Sequence, residues 1–159
     1  ASLNPFIDLS RVGVKGLSYG GYGSTRAMLL FPDFFHVNVS YVGPHDFAHL
    51  GSPVSNERFF WNSDDKDQVA EYYKIISNTI LVERLKGKLF LIWGEIDENV
   101  PSNNIFIMLQ SLLDADADFE SLIVPNNPHA VYHPSVIKRE FRYFHDHLRN
   151  DRTQSEREN

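Results

Sequence analysis

The chain contains no cysteine, which removes disulfides, thiolate metal sites and a cysteine nucleophile from consideration. No apolar run approaches the roughly 20 residues of a membrane span, and the first residues lack the charged-then-apolar pattern of a signal peptide. Residue 1 is not Met, so an upstream segment stays open. Positive charge is in deficit, with 15 Lys and Arg against 21 Asp and Glu and a formal net charge of -6. Neutralising a nucleic-acid backbone or an anionic membrane needs the opposite balance, so neither partner is expected. Zinc spacing such as His-Glu-x-x-His is missing as well, and neither a metal nor a cofactor is expected.

What remains is a chain of 159 residues, 42% hydrophobic and 13% aromatic, enough for one domain with a substantial core. Four segments rich in β-branched and apolar residues read as strands: Arg11 to Lys15, His36 to Val42, Lys88 to Trp93 and Phe119 to Val124. The run Leu89-Phe90-Leu91-Ile92-Trp93 is apolar without alternation, as expected of a strand covered on both faces. Helical patterns separate them. Tyr22 to Phe31 is stopped by Pro32, while Ile105, Leu109 and Leu112 fall at helical spacing, as do Ile137, Phe141, Phe144 and Leu148. Alternating strand and helix imply a parallel sheet with helices on its faces, so the class is α/β.

Between the second and third strands, Gly43 to Lys86 first carries Gly, Pro and the aromatics Phe59, Phe60 and Trp61. It then turns helical, with a break at Ser77-Asn78. Domain organisation is expected to be one domain over residues 1–148 and a frayed polar tail over 149–159, which has no large apolar side chain.

The first expected strand runs into Gly16-Leu17-Ser18-Tyr19-Gly20-Gly21. After a strand and before a helix, Gly-x-Ser-x-Gly is a nucleophile elbow, with the serine on a sharp, strained turn. Glycines at 16 and 20 are expected because strand and helix approach too closely for side chains there, with Gly21 extending the clearance. The following helix aims N–H groups and its positive end at the place where an oxyanion would form, with Tyr19 supplying one backbone donor.

A Ser, acid, His chain order then becomes a test. The third strand ends at Trp93-Gly94, and Asp97 lies three residues past that glycine, before Val100-Pro101 opens the next helix. Glu95 and Glu98 read as solvated loop charges. The fourth strand ends at Val124-Pro125, and Asn126-Asn127-Pro128-His129 follows. His129 is the expected base, because it lies nearer the strand end than its competitor His133.

These three stretches, Gly-Leu-Ser-Tyr-Gly-Gly-Tyr, Gly-Glu-Ile-Asp-Glu-Asn-Val and Asn-Pro-His, resemble in order the catalytic domain of the prolyl oligopeptidase family. The likeness is to its dipeptidyl peptidase IV and acylaminoacyl peptidase branches and runs from Pro5 to about Leu148; Asp8-Leu9-Ser10-Arg11-Val12 resembles its lead-in to the nucleophile strand. The resemblance implies the C-terminal half of an α/β-hydrolase fold, with about four parallel strands. It implies a serine peptidase acting on short peptides, with Ser18 attacking, His129 as base and acid, and Asp97 orienting the imidazole. Asn99 and Val100 match positions that line the substrate pocket in the dipeptidyl peptidase branch, and Phe47 is a candidate wall. The loop from Ala48 to Ser55 lacks that branch's paired tyrosines, and Ala130 stands where many members have Gly.

Members of the family carry more strands before the nucleophile strand, and usually a β-propeller before those. The first strand is therefore expected on an exposed edge, and the second oxyanion donor, from an upstream loop, is not in the sequence. The chain is expected to be a C-terminal piece of a longer enzyme, a degraded product, or a chain completed by association such as a homo-oligomer. An esterase or lipase-like hydrolase with the same triad, or an inactive fragment, are the competing readings.

Overall fold

The computed structural model describes residue 4 and residues 6–50 and 65–149. Four parallel strands, β1 (Gly13–Leu17), β2 (Val37–Tyr41), β3 (Lys88–Gly94) and β4 (Phe119–Val124), lie side by side in chain order. Helix α1 (Tyr19–Leu30) connects β1 to β2; α2 (Lys66–Ile76) and a 3-10 helix (Asn78–Arg84) lie between β2 and β3. Helix α3 (Ser102–Asp114) connects β3 to β4, and α4 (Pro134–Leu148) follows β4. The α/β class is as expected. The aromatics Phe59 to Trp61 and the tail beyond Arg149 lie outside the described residues.

The pleat of β1 shows how the layers are built. Gly13 faces α4, so closely that a Cβ there would lie 2.8 Å from Leu148 and 2.9 Å from Phe144. Lys15, two residues on and on the same face, pairs with Glu140 of α4 at 2.6 Å. Gly16, on the opposite face, meets the backbone of Gly20 in α1. Helices α1 and α4 therefore cover opposite sides of the sheet.

β2 divides its side chains in the same way. Asn38 donates to Thr25 of α1 at 2.9 Å, and the Tyr41 hydroxyl, on the other face, donates to the buried Glu140 carboxylate at 2.8 Å. All of β2 and Leu89 to Gly94 of β3 are buried, which explains why the β3 run is apolar without alternation. Phe90 of β3 packs on Tyr143 of α4 with ring centroids 5.1 Å apart. Each such large apolar side chain contributes about 2 kcal/mol by leaving water.

Helix boundaries follow local chemistry. Asp65 caps α2 by accepting from the N–H groups of Asp67 and Gln68. The expected break falls where it was read: Ser77 is extended, at φ -70° and ψ 143°, and separates α2 from the 3-10 helix. Helix α1 starts at Tyr19, three residues before its expected start at Tyr22, because the elbow turns directly into the helix.

Candidate active site

Three loops leave the carboxyl ends of β1, β3 and β4 and meet above the sheet. Ser18 follows β1 directly and holds φ 58° and ψ -123°, a left-handed backbone for a residue with a side chain. Its N–H donates to the Tyr41 carbonyl at 2.9 Å, which ties the turn to the end of β2. The clearance is supplied by Gly16 and Gly21. A Cβ at Gly16 would lie 1.9 Å from the Gly20 carbonyl oxygen, and one at Gly21 would lie 2.6 Å from the Tyr41 oxygen. Gly20 corrects the expectation, since a Cβ there meets nothing within 4 Å. It is the backbone of Gly20, not its missing side chain, that packs against the strand.

The Ser18 hydroxyl stands 2.9 Å from His129 Nε2, and His129 Nδ1 stands 2.8 Å and 3.0 Å from Asp97 Oδ2 and Oδ1. The Asp97 side chain is 0% exposed and that of His129 19%. Asp97 Oδ1 also accepts from the N–H groups of Asn99 and Val100, each at 2.9 Å, so the carboxylate is fixed by its own loop. A carboxylate only accepts, which assigns the proton to Nδ1 and leaves the Nε2 lone pair facing the serine. A serine hydroxyl, an acceptor nitrogen and an orienting carboxylate in series can deprotonate the hydroxyl as it attacks a carbonyl carbon.

The other sequence-derived residues take different places. His133 is engaged elsewhere: it caps α4, with Nδ1 accepting from the Ser135 N–H at 3.2 Å. Tyr19 is the first residue of α1, whose first turn directs N–H groups out of its N-terminal end. Asn99 is exposed and Val100 buried in the acid loop. Phe47 is buried, stacked on the Tyr19 ring at 6.3 Å and edge-on to Tyr22 at 4.9 Å. Glu95, read as a solvated charge, accepts from the Asn126 N–H at 3.0 Å and so links the acid loop to the histidine loop.

Sequence reading missed the polar set that holds Phe47. Asn104 of α3 accepts from the N–H groups of His45 and Asp46 and donates to the Asp46 carbonyl, while Ser77 accepts from the Phe47 N–H. His45 is fully buried; desolvation pushes its pKa down to about 3, so the ring is neutral. Its Nδ1 accepts from Asn78, and Nε2 therefore carries the proton toward Ser40. Buried residues of this kind carry no motif, and only their excess of Asn and His over apolar residues could have flagged them.

Residues 1–151 match the sequence profile of the prolyl oligopeptidase family. Over 146 residues the chain is 31% identical to dipeptidyl peptidase 8 of Mus musculus, covering 84% of this chain and 15% of that protein's length. Among solved structures, a Bacteroides ovatus protein assigned as a dipeptidyl aminopeptidase IV superposes with a TM-score of 0.83 and 27% identity, over 92% of this chain and 21% of that one. The acylaminoacyl peptidase of Pyrococcus horikoshii shares the fold, with a TM-score of 0.77 at 22% identity over 92% of this chain and 25% of that one.

Proposed function

The chain belongs to the prolyl oligopeptidase family, and we propose from this that it carries the Ser-His-Asp triad of a serine peptidase with an α/β-hydrolase fold. The observation that supports this reading most directly is the continuous hydrogen-bond series from Ser18 through His129 to Asp97. Ser18 attacks the peptide carbonyl while His129 Nε2 takes its proton. The tetrahedral oxyanion is stabilised by N–H groups at the start of α1, that of Tyr19 among them. His129 then protonates the leaving amine, the acyl-enzyme forms, and water attacks it by the same route in reverse. Asp97 holds the imidazole tautomer throughout.

The substrate is a short peptide. The exposed Asn99 amide meets substrate carbonyls, while Phe47 and Val100 are buried and back the site from within, Phe47 through its stack on Tyr19. Residues 1–148 act as part of the hydrolase domain, and the work of the intact enzyme draws on a further segment or a second copy beside β1.

The test uses the full-length gene product with aminoacyl, dipeptidyl and N-acyl-aminoacyl chromogenic amides. Ser18→Ala and His129→Ala are each expected to lower kcat by about 10^4 or more, while His133→Ala leaves it within twofold. A fluorophosphonate should label Ser18. Hydrolysis that survives Ser18→Ala would overturn the proposal, and turnover of acyl esters without any amide would replace peptidase by esterase.

A further inference from the structure

We propose that Gly94 is a positioning residue for the His129–Asp97 pair: its bare Cα lets the carbonyls of Asn127 and Pro128 close over the end of β3, and that closure sets where the imidazole stands. The kinetic consequences rest on the peptidase reading above, whereas the geometric ones do not.

Gly94 is the last residue of β3, and its φ is outside the left-handed range, so an L side chain is not excluded by backbone conformation. What excludes it is the neighbouring loop. A Cβ at this position would lie 2.4 Å from both the Asn127 and the Pro128 carbonyl oxygens and 3.0 Å from the Asn127 carbonyl carbon. These are main-chain atoms, so no change of rotamer relieves the overlap, and ordinary contact requires the loop to retreat by about 1 Å. The next residue along that loop is His129.

The same two loops are laced together around this point. The Glu95 N–H donates to the Val124 carbonyl and the Ile96 N–H to the Asn127 carbonyl, each at 3.1 Å. The Glu95 carboxylate accepts from Asn126, which adopts a left-handed φ of 54°. The Gly94 carbonyl in turn accepts from the Asp97 N–H at 3.3 Å, so the strand end touches both the acid and the segment that carries the base. A displacement of about 1 Å there lengthens contacts of 2.8 Å and 2.9 Å beyond useful hydrogen-bond range.

The experiment compares Gly94→Ala with Gly87→Ala in the full-length gene product. Gly87 immediately precedes β3 at the opposite end, and a Cβ there meets the His36 carbonyl oxygen and Met28 at 2.5 Å, a similar obstruction far from the site. Four quantities are read: melting temperature, kcat and KM on the best amide substrate, and the low-field proton resonance of His129 Nδ1–H, assigned by its loss in His129→Ala. Gly94→Ala is expected to lower kcat about 10^2-fold at unchanged KM and to abolish the low-field resonance. Gly87→Ala should lower the melting temperature and keep both. If the two variants lose stability alike and both retain kcat and the resonance, Gly94 is structural only and the proposal falls.

Should Gly94→Ala fail to fold, Glu95→Ala loosens the same loop without adding bulk. It is expected to lower kcat about tenfold and broaden the resonance, with Glu95→Gln restoring both; wild-type behaviour of Glu95→Ala would then overturn the proposal. If amide hydrolysis proves independent of Ser18 while the resonance still depends on Gly94, the peptidase reading fails and the positioning stands.

Discussion

At Ser18 a residue with a side chain occupies φ 58°, a conformation that costs on the order of 1–3 kcal/mol and persists only where its surroundings hold it. Its surroundings are the Tyr41 carbonyl and the two glycines that let α1 approach β1, at Gly16, and β2, at Gly21. The three glycines around the serine are therefore not equivalent. Gly16→Ala would drive a Cβ to 1.9 Å from a helix carbonyl with no side chain able to yield, and should destabilise the fold by about 3 kcal/mol or more. Gly20→Ala meets only open space and replaces a helical glycine, which favours the folded state by up to about 1 kcal/mol. Urea unfolding of the two variants separates them, and an equal loss of stability would show that the packing at Gly16 has been misjudged.

Among the elements, strands and helices were legible in the sequence wherever the hydrophobic period was undisturbed. Phe119–Val124 and helix α4 fall where the pattern puts them, but α4 buries Val136, Glu140 and Tyr143, and of the apolar stripe only Phe144 and Leu148 pack on the core while Ile137 and Phe141 stay exposed. β1 is shifted by two residues, to Gly13–Leu17, because its apolar signal is diluted by glycine and its outer edge carries no partner among the described residues. That Ser18, Asp97 and His129 lie within hydrogen-bond distance of one another could be read because each follows a strand end. The Glu95 link to Asn126 and the set around His45 could not, since an isolated Glu or His looks the same whether solvated or buried.

His45 nonetheless has a measurable consequence for the loop between β2 and α2. Its pKa is near 3 in the fold against 6.5 for the ordinary group. Below pH 6.5 the unfolded chain takes up a proton that the folded chain refuses, so this contribution is complete above that pH and is lost on acidification. The slope is about 1.4 kcal/mol per pH unit, and about 2 kcal/mol should disappear between pH 7 and pH 5. His45→Gln keeps an acceptor and a donor for Asn78 and Ser40 and should flatten the urea midpoint over that range. A variant with the wild-type slope would show that the buried ring is not the group responsible.

On the scale of the whole molecule, the sheet among the described residues has two outer strands, β1 and β4. β3 is covered on both faces, but β1 stands at the edge with a row of backbone groups that no described residue pairs. Beside it an apolar cavity of about 420 Å³ is lined by Leu17, Val131, Tyr132, Ile137 and Phe141, with the Lys15–Glu140 pair at its margin. Leu17 is 53% exposed, Phe141 67% and Tyr132 86%. An open strand edge next to an apolar surface is a template for another chain, and the chain spans only 15% of the length of its mouse relative. Residues 1–159 expressed alone should therefore associate as concentration rises. Sedimentation velocity should show a weight-average mass that climbs through the micromolar range, and Phe141→Lys should restrain the climb by placing a charge on the apolar surface without touching the strand. A chain that stays monomeric at high concentration would overturn this reading of the β1 edge.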